Sequence, residues 1–300
     1  MCQRKEVSLK RVSFAKVNLF LQVTGKRNDG YHELYSLMAQ IDLRDEVALF
    51  FEGNGIRVVC DHPDVPGGET NLAYRAADLF FNAYKKQKGK FPLDGVFIQI
   101  KKQIPVGGGL GGGSSNAASV LMALNEHCTN FFSRSELMAL GLCLGADVPF
   151  FIFGVPALAT GVGEILEKYS PLPKFYLVLC DPGVSASTSD VFKNLKFRLT
   201  SRCNYNMNTG LNALVGGQGG DSKEKLHNDL EVSACGLYPE IASVKEEMEF
   251  LLERNVYMSG SGSTLFALFS GPEDARKAYG LLAKKWSGES KKLFLTSLRC

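Results

Sequence analysis

Residues 104–124 read IPVGGGLGGGSSNAASVLMAL. Six glycines fall within the seven positions 107–113, followed by Ser114, Ser115 and an alanine-rich apolar run. A stretch with so little side chain loses much conformational entropy on folding. In return it offers exposed backbone: successive N–H groups curl into an anion nest, and a following helix adds its free N–H groups and the positive end of its dipole. Ser114 and Ser115 stand where an N-cap belongs, and Ala117, Ala118, Leu121, Met122 and Leu124 carry helical spacing. The segment predicts a phosphate cradle. Gly107, Gly109 and Gly112 satisfy G-x-G-x-x-G, a weak signal by itself, and no Gly-Lys pair is followed by Ser or Thr, so a Walker A loop is excluded. A flexible linker would not carry Leu110 in mid-run or end on a capped helix.

Outward from this segment the chain is built for burial. Its 300 residues are 45% hydrophobic, with twenty Phe against one Trp, enough for one large core or two medium ones. The net charge is only +3 and the basic residues are spread, which speaks against a nucleic-acid footprint. Eight cysteines never form C-x-x-C, and four histidines are dispersed, so free thiols in a reducing compartment and no metal cage are expected. The longest apolar run, 148–159, is interrupted by Pro149 and Pro156 and is too short to span a bilayer. With no continuous apolar leader at the N-terminus, the reading is a cytoplasmic protein without membrane or nucleic-acid partners, monomeric or a weak homodimer.

Residues 12–23 alternate: Ala15, Val17, Leu19, Leu21 and Val23 on one face, Lys16, Asn18 and Gln22 on the other. GKRNDG (25–30) is turn chemistry. Strands are expected at 47–51, 56–60, 97–101, 150–154, 157–160, 177–180 and 292–298. Helices are expected from 71 to 86, over 133–144 with Ser133 and Glu136 as a capping box, over 188–193, near 240–254 and over 272–286. VYMSGSGSTLFALF (256–269) reads as strand, turn, strand. The polar stretch 201–225 reads as a mobile surface segment. Strands and helices mix without steady βαβ alternation, so the class is α+β. Two domains of similar size are expected, 1–163 and 164–300, with the last strand packing back on the first.

AKVNLFLQVTGKRNDGYHEL near the start, PVGGGLGGGSSNAA in the middle and SGSGSTLFALF near the end together resemble the GHMP kinase superfamily. The extra glycines, LGADVPFF, G-x-G-E-I-L and HNDLE resemble in particular its branch that phosphorylates a cytidine diphosphate ester of methylerythritol in the non-mevalonate isoprenoid route. The resemblance covers most of the chain outside 201–225. It implies an N-terminal domain like the second domain of ribosomal protein S5 that binds ATP, and a C-terminal ferredoxin-like α/β sandwich. It implies Lys16 and Asp147 as catalytic residues, Asp147 taking the hydroxyl proton and Lys16 orienting it and stabilising developing charge. ATP would lie on Pro105, Val106, Gly107, Gly108, Gly109, Leu110, Gly111, Gly112, Gly113, Ser114 and Ser115, with Asn71 and Leu72 near adenine. Cytosine would stack between Tyr31 and Phe192, with His32 and Asn18 on its polar edge, and Gly260, Ser261 and Gly262 would close around the diphosphate. Mg2+ is implied by the kinase chemistry; no ligand set is assigned, although Ser115 is a candidate.

Three rival readings are weaker. Superfamily kinases acting on mevalonate, phosphomevalonate or homoserine have no base to stack on Tyr31-His32. A nicotinamide oxidoreductase does not explain Ser-Ser after the glycines or the α+β order. An RNA-binding module is disfavoured by near-neutral charge and the phosphate loop.

Overall fold

The computed structural model describes residues 8–195 and 226–299; the polar stretch 201–225 lies outside them. In chain order the strands are β1 (Ser8–Lys26), β2 (His32–Phe50), β3 (Gly55–Cys60), β4 (Gly95–Lys101), β5 (Ala157–Thr160), β6 (Ile165–Lys168), β7 (Tyr176–Asp181), β8 (Tyr257–Met258), β9 (Leu265–Phe269) and β10 (Lys292–Ser297). The helices are α1 (Leu72–Lys88), α2 (Gly112–His127), α3 (Arg134–Leu142), α4 (Val148–Phe153), α5 (Thr188–Lys193), α6 (Leu230–Leu237), α7 (Pro239–Leu252) and α8 (Pro272–Lys285).

The chain forms two compact units. Of the described residues, one holds 8–15, 43–106 and 111–154; the other holds 16–42, 107–110, 155–195 and 226–299. These are not the contiguous halves expected from sequence, because β1 and β2 are each long enough to give a half to both units. In the first unit the later half of β2 pairs antiparallel with β4, and β4 pairs parallel with β3. Helix α1 packs on α2, and α3 and α4 pack on each other. A knot of aromatic edges closes this core: Phe80 meets Phe91 and Phe132 edge-on, with centroids 6.2 and 5.2 Å apart.

In the second unit the earlier half of β2 pairs antiparallel with β5, and β5 with β6. A four-stranded antiparallel sheet follows, in the order β10-β7-β9-β8. Its core joins Val178, Leu265 and Ala267 of the sheet to Leu230, Ile241, Met248 and Leu282 of the helices and to Leu21 and Val23 of β1. β10 therefore pairs with β7. Beyond β10, Leu298 bridges Ile41 of β2 and the Arg299 N–H donates to Gln40 O at 2.9 Å, both within this unit.

Three local expectations are corrected. The strand expected at 47–51 is the end of a far longer one, β2, which runs unbroken from His32 to Phe50. Residues 150–154 are not a strand: Val148–Phe153 is a helix with Pro149 in its first turn, where the missing N–H costs nothing. A short apolar run has no period to separate the two forms. The third concerns the glycine loop.

Candidate active site

The glycine run is divided between the two units. In the second, Gly107–Leu110 form a turn whose carbonyls are anchored in succession. Gly108 O accepts the Thr264 N–H at 3.2 Å, Gly109 O accepts the Ser259 hydroxyl at 3.2 Å, and Leu110 O accepts the Lys16 N–H at 2.9 Å. Tying the carbonyls into protein removes the groups that would repel an anion and leaves amide hydrogens for that task. Gly109 has φ +74°, and a Cβ there would lie 2.3 Å from Ser259 O, so only glycine fits.

In the first unit the run becomes α2. Its N-cap is Gly111, left-handed at φ 70°, rather than either serine. Ser114 and Ser115 lie inside the first turn, and the Ser115 N–H makes the bond to Gly111 O at 2.9 Å. The amides of residues 112–114 thus precede that bond, where a helix offers its anion-binding end. Ser115 is buried and its carbonyl accepts the Ser13 hydroxyl at 3.3 Å, while Ser114 is half-buried. The segment before the run is held by Asp45, which is wholly buried. It receives Lys102 Nζ at 2.6 Å, the N–H groups of Gln103 and Ile104 at 2.8 and 2.9 Å, and Asn116 Nδ2 at 2.9 Å. Sequence reading passed over Asp45, since one acid in an apolar strand carries no motif.

Asn71 and Leu72 open α1. The Asn71 side chain accepts the Ala73 N–H at 2.8 Å and donates to Pro66 O at 2.7 Å, so it works as the helix cap. Leu72 does reach the cradle: its Cδ1 lies 3.4 Å from where a Gly113 Cβ would stand. Pro105 is buried and Val106 exposed. Asp147 is half-buried at the start of α4 with αR backbone, and its side chain does not cap that helix. Two residues earlier, a Gly145 Cβ would lie 4.0 Å from the Ser114 hydroxyl, so the Asp147 loop approaches the first turn of α2.

In the second unit, β1 is covered on both faces, which simple alternation did not anticipate. Lys16 is 4% exposed. Its Nζ donates to Asn18 Oδ1 at 2.6 Å; Asn18 Nδ2 donates to Ser36 Oγ at 2.8 Å, and that hydroxyl donates to Phe20 O at 2.6 Å. The Asn18 amide is thus engaged at both ends, on Lys16 and on Ser36. A buried ammonium is costly unless hydrogen-bonded, and this relay supplies such a bond. The Ser259–Ser263 loop lies against the pair: a Gly260 Cβ would fall 3.2 Å from Asn18 Oδ1 and 3.3 Å from Lys16 Nζ. Ser261 Oγ pairs with Thr188 Oγ1 at 2.8 Å, tying the loop to α5, and Ser263 donates to Val184 O.

Helix α5 carries Phe192, whose ring stacks on His32 with centroids 5.1 Å apart and planes 23° from parallel. Tyr31 is 63% exposed. The stacked pair on β2 and α5 is therefore His32 with Phe192. Burial, and to a lesser degree the Lys26 charge, hold the His32 pKa below its usual value, which keeps the ring neutral at neutral pH.

Comparison with known proteins converges on one group. The GHMP kinases N terminal domain matches residues 71–155, and the GHMP kinases C terminal domain matches residues 217–288. A protein of Syntrophotalea carbinolica named 4-diphosphocytidyl-2-C-methyl-D-erythritol kinase is 46% identical, over 88% of this chain and 90% of its own. One of the same name from Clostridium botulinum is 39% identical over 91% and 95%. A crystal structure of 4-(cytidine 5'-diphospho)-2C-methyl-D-erythritol kinase superposes with a TM-score of 0.80 at 38% identity, covering 97% of this chain and all of that one. Homoserine kinase from Cytophaga hutchinsonii, 19% identical with a TM-score of 0.67 over 100% of this chain and 96% of its own, shares the fold.

Proposed function

We infer the reaction from a plain fact: the chain belongs to the 4-diphosphocytidyl-2-C-methyl-D-erythritol kinase family, within the GHMP kinases. The protein transfers the γ-phosphoryl group of ATP to the 2-hydroxyl of 4-diphosphocytidyl-2-C-methyl-D-erythritol, giving the 2-phosphate and ADP. Phosphoryl transfer asks for positioning and charge neutralisation more than for covalent chemistry. The turn of Gly107–Leu110 and the amides opening α2 supply the first part, and Leu72 beside Gly113 offers an apolar wall for adenine. Asp147 accepts the proton of the attacking hydroxyl, and Lys16 stabilises the charge that develops in transfer. Asn18 serves by fixing the Lys16 ammonium. Gly260 and Ser261 take the acceptor's diphosphate through backbone amides, and Gly262, whose N–H donates to Ser259 O at 3.0 Å, closes the turn that presents them. Mg2+ neutralises phosphate charge when bound; the hydroxyls of Ser114 and Ser115 are the hard oxygen donors this chain adds to those of ATP and water.

The acceptor assignment is carried by one observation, the parallel stack of His32 on Phe192 beside the exposed Tyr31 ring. Flat aromatic faces suit a pyrimidine, and base–aromatic stacking is worth ~1–3 kcal/mol. Mevalonate and homoserine offer no such face. Coupled ADP release with Mg-ATP tests the reading against 4-diphosphocytidyl-methylerythritol, mevalonate, homoserine and no acceptor. Turnover with the cytidylyl compound alone is expected; turnover with another acceptor refutes the acceptor assignment and leaves the kinase. We place its action in the cytoplasm. Among the described residues no helix is long and apolar enough to cross a membrane.

A further inference from the structure

The HNDLE segment has no part in the roles assigned above, yet it is bonded to two of the elements that carry them. Leu21 of β1 bridges Asn228: the Leu21 N–H donates to His227 O at 2.8 Å, and the Asp229 N–H donates to Leu21 O at 3.0 Å. Asp229 Oδ2 accepts the Val23 N–H at 2.7 Å, while its Oδ1 lies 2.5 Å from His227 Nε2. The segment is thereby fixed to the strand bearing Lys16 and Asn18. From it the Asn228 amide reaches the other way. Its Nδ2 donates to Met258 O at 2.9 Å and to Gly260 O at 2.8 Å, and its Oδ1 accepts the Leu230 N–H at 3.0 Å. Both amide hydrogens are thus used, on two carbonyls that flank Ser259.

We propose that Asn228 is a positioning residue for the acceptor: it sets the Gly260 peptide against the Lys16–Asn18 pair, so that the loop amides meet the acceptor's diphosphate. The inference rests on the acceptor role proposed for this loop. A Cβ at Gly260 would fall 3.2 Å from Asn18 Oδ1 and 3.3 Å from Lys16 Nζ, so the backbone that Asn228 holds runs directly against the pair. An aspartate at 228 is nearly isosteric but has no hydrogens to donate, and it sets a negative charge against two carbonyl oxygens. An asparagine is required there by chemistry, not by volume.

The test compares wild type, Asn228→Asp and Asn228→Ala with Asn125→Asp. Asn125 is a matched buried asparagine, bonded to the Phe132 backbone at 2.8 and 2.9 Å, and has no role in the site. The Asn228 variants are expected to raise the acceptor KM about tenfold or more and to lower kcat. Their Mg-ATP dissociation constant should rise less than the acceptor KM, because the loop reaches ATP only through its bonds to Gly108 O and Gly109 O while α2 and its amides are untouched. Hydrogen exchange should quicken in residues 258–264 but not in 111–120. Asn125→Asp should lose thermal stability while keeping both constants. Equal losses toward ATP and acceptor, or unchanged exchange in 258–264, would overturn the proposal. Exchange reads the loop whatever the acceptor is, so a wild type inactive on the cytidylyl compound defeats the acceptor reading without deciding the fate of Asn228.

Discussion

Asp45→Ala removes a carboxylate with no solvent exposure from four donors at once. Its partner Lys102 has a side chain only 4% exposed, so the variant strands a buried ammonium. Breaking a buried pair from one side costs about 3–5 kcal/mol, much of it the desolvation of the group left behind. The Gln103 and Ile104 N–H groups and the Asn116 amide also lose their acceptor. These losses overlap, and about 4 kcal/mol is the working figure. Unfolding entropy near 2.1 cal/mol/K per residue gives about 0.6 kcal/mol/K for a chain of this length, so the melting midpoint should fall by about 5–8 °C. The same anchor fixes residues 102–104 just before the cradle, and a Gly112 Cβ would stand 2.8 Å from Lys102 Nζ. Affinity for Mg-ATP should therefore fall along with stability. Thermal melts followed by circular dichroism, with nucleotide titration at a temperature where each variant is folded, read both effects. The double variant Asp45→Asn/Lys102→Met removes both charges and keeps an acceptor for the two N–H groups, so it should regain most of the lost midpoint. An Asp45→Ala midpoint within 2 °C of wild type, on an estimate of ~4 kcal/mol, refutes the reasoning. A double variant as unstable as the single would show that charge is not the cause.

Asp147→Asn should lose ~10²–10⁴-fold in kcat while Mg-ATP and acceptor still bind, measured by coupled ADP release and titration; near-normal turnover removes Asp147 from the role of base. Gly109→Ala should abolish measurable Mg-ATP binding in a folded protein, because its Cβ would stand 2.3 Å from Ser259 O; retained affinity would show that the turn relaxes freely. His227 has its pKa raised, chiefly by the hydrogen bond to Asp229. A raised folded value means that the contribution is complete below the unfolded pKa of about 6.5 and fades as pH rises through the folded value. His227→Gln should therefore cost more stability at pH 5.5 than at pH 9 in paired urea titrations. An equal cost at both would separate the ring's charge from its packing.

What the sequence disclosed depended on whether the chemistry was local. The capping box Ser133–Glu136 and the amphipathic α1 and α8 answer to neighbours three or four residues away, and they stand where the pattern set them. Residues 150–154 failed the same test because a five-residue apolar run is consistent with either period, and Pro149 decides for a helix only once its place in the first turn is known. The Gly111 cap was hidden for a related reason. Serine is the stronger cap by frequency, but a left-handed residue was needed at that point, and among six glycines the sequence does not say which one. Asp45, Asn228 and the His32–Phe192 stack were out of reach because each is defined by partners from about 30 to 160 residues distant.

The polar residues of β1 show why distance in sequence matters to the chemistry. Lys16 and Asn18 look like the solvent face of an amphipathic strand, and the period-two pattern is indeed present. They are nevertheless buried, because Leu110 O, Ser259 and Gly260 close over that side from segments about 90 and 240 residues away. A lysine in water would be strongly hydrated and free to wander through many rotamers; here Asn18 holds its ammonium, and Ser36 holds Asn18. On the role proposed for Lys16, little reorganisation is then left for the moment when charge develops on a transferring phosphoryl group, which is where preorganised dipoles and charges act most strongly. The cost of burying the ammonium falls on folding, and the two glycine-rich segments, 107–113 and 260–262, leave the room for that burial. Asn18→Leu, which removes the relay but not the strand, would accordingly leave the fold standing and lower kcat far more than it raises the KM for ATP. A change confined to KM would show that Lys16 needs no such aim.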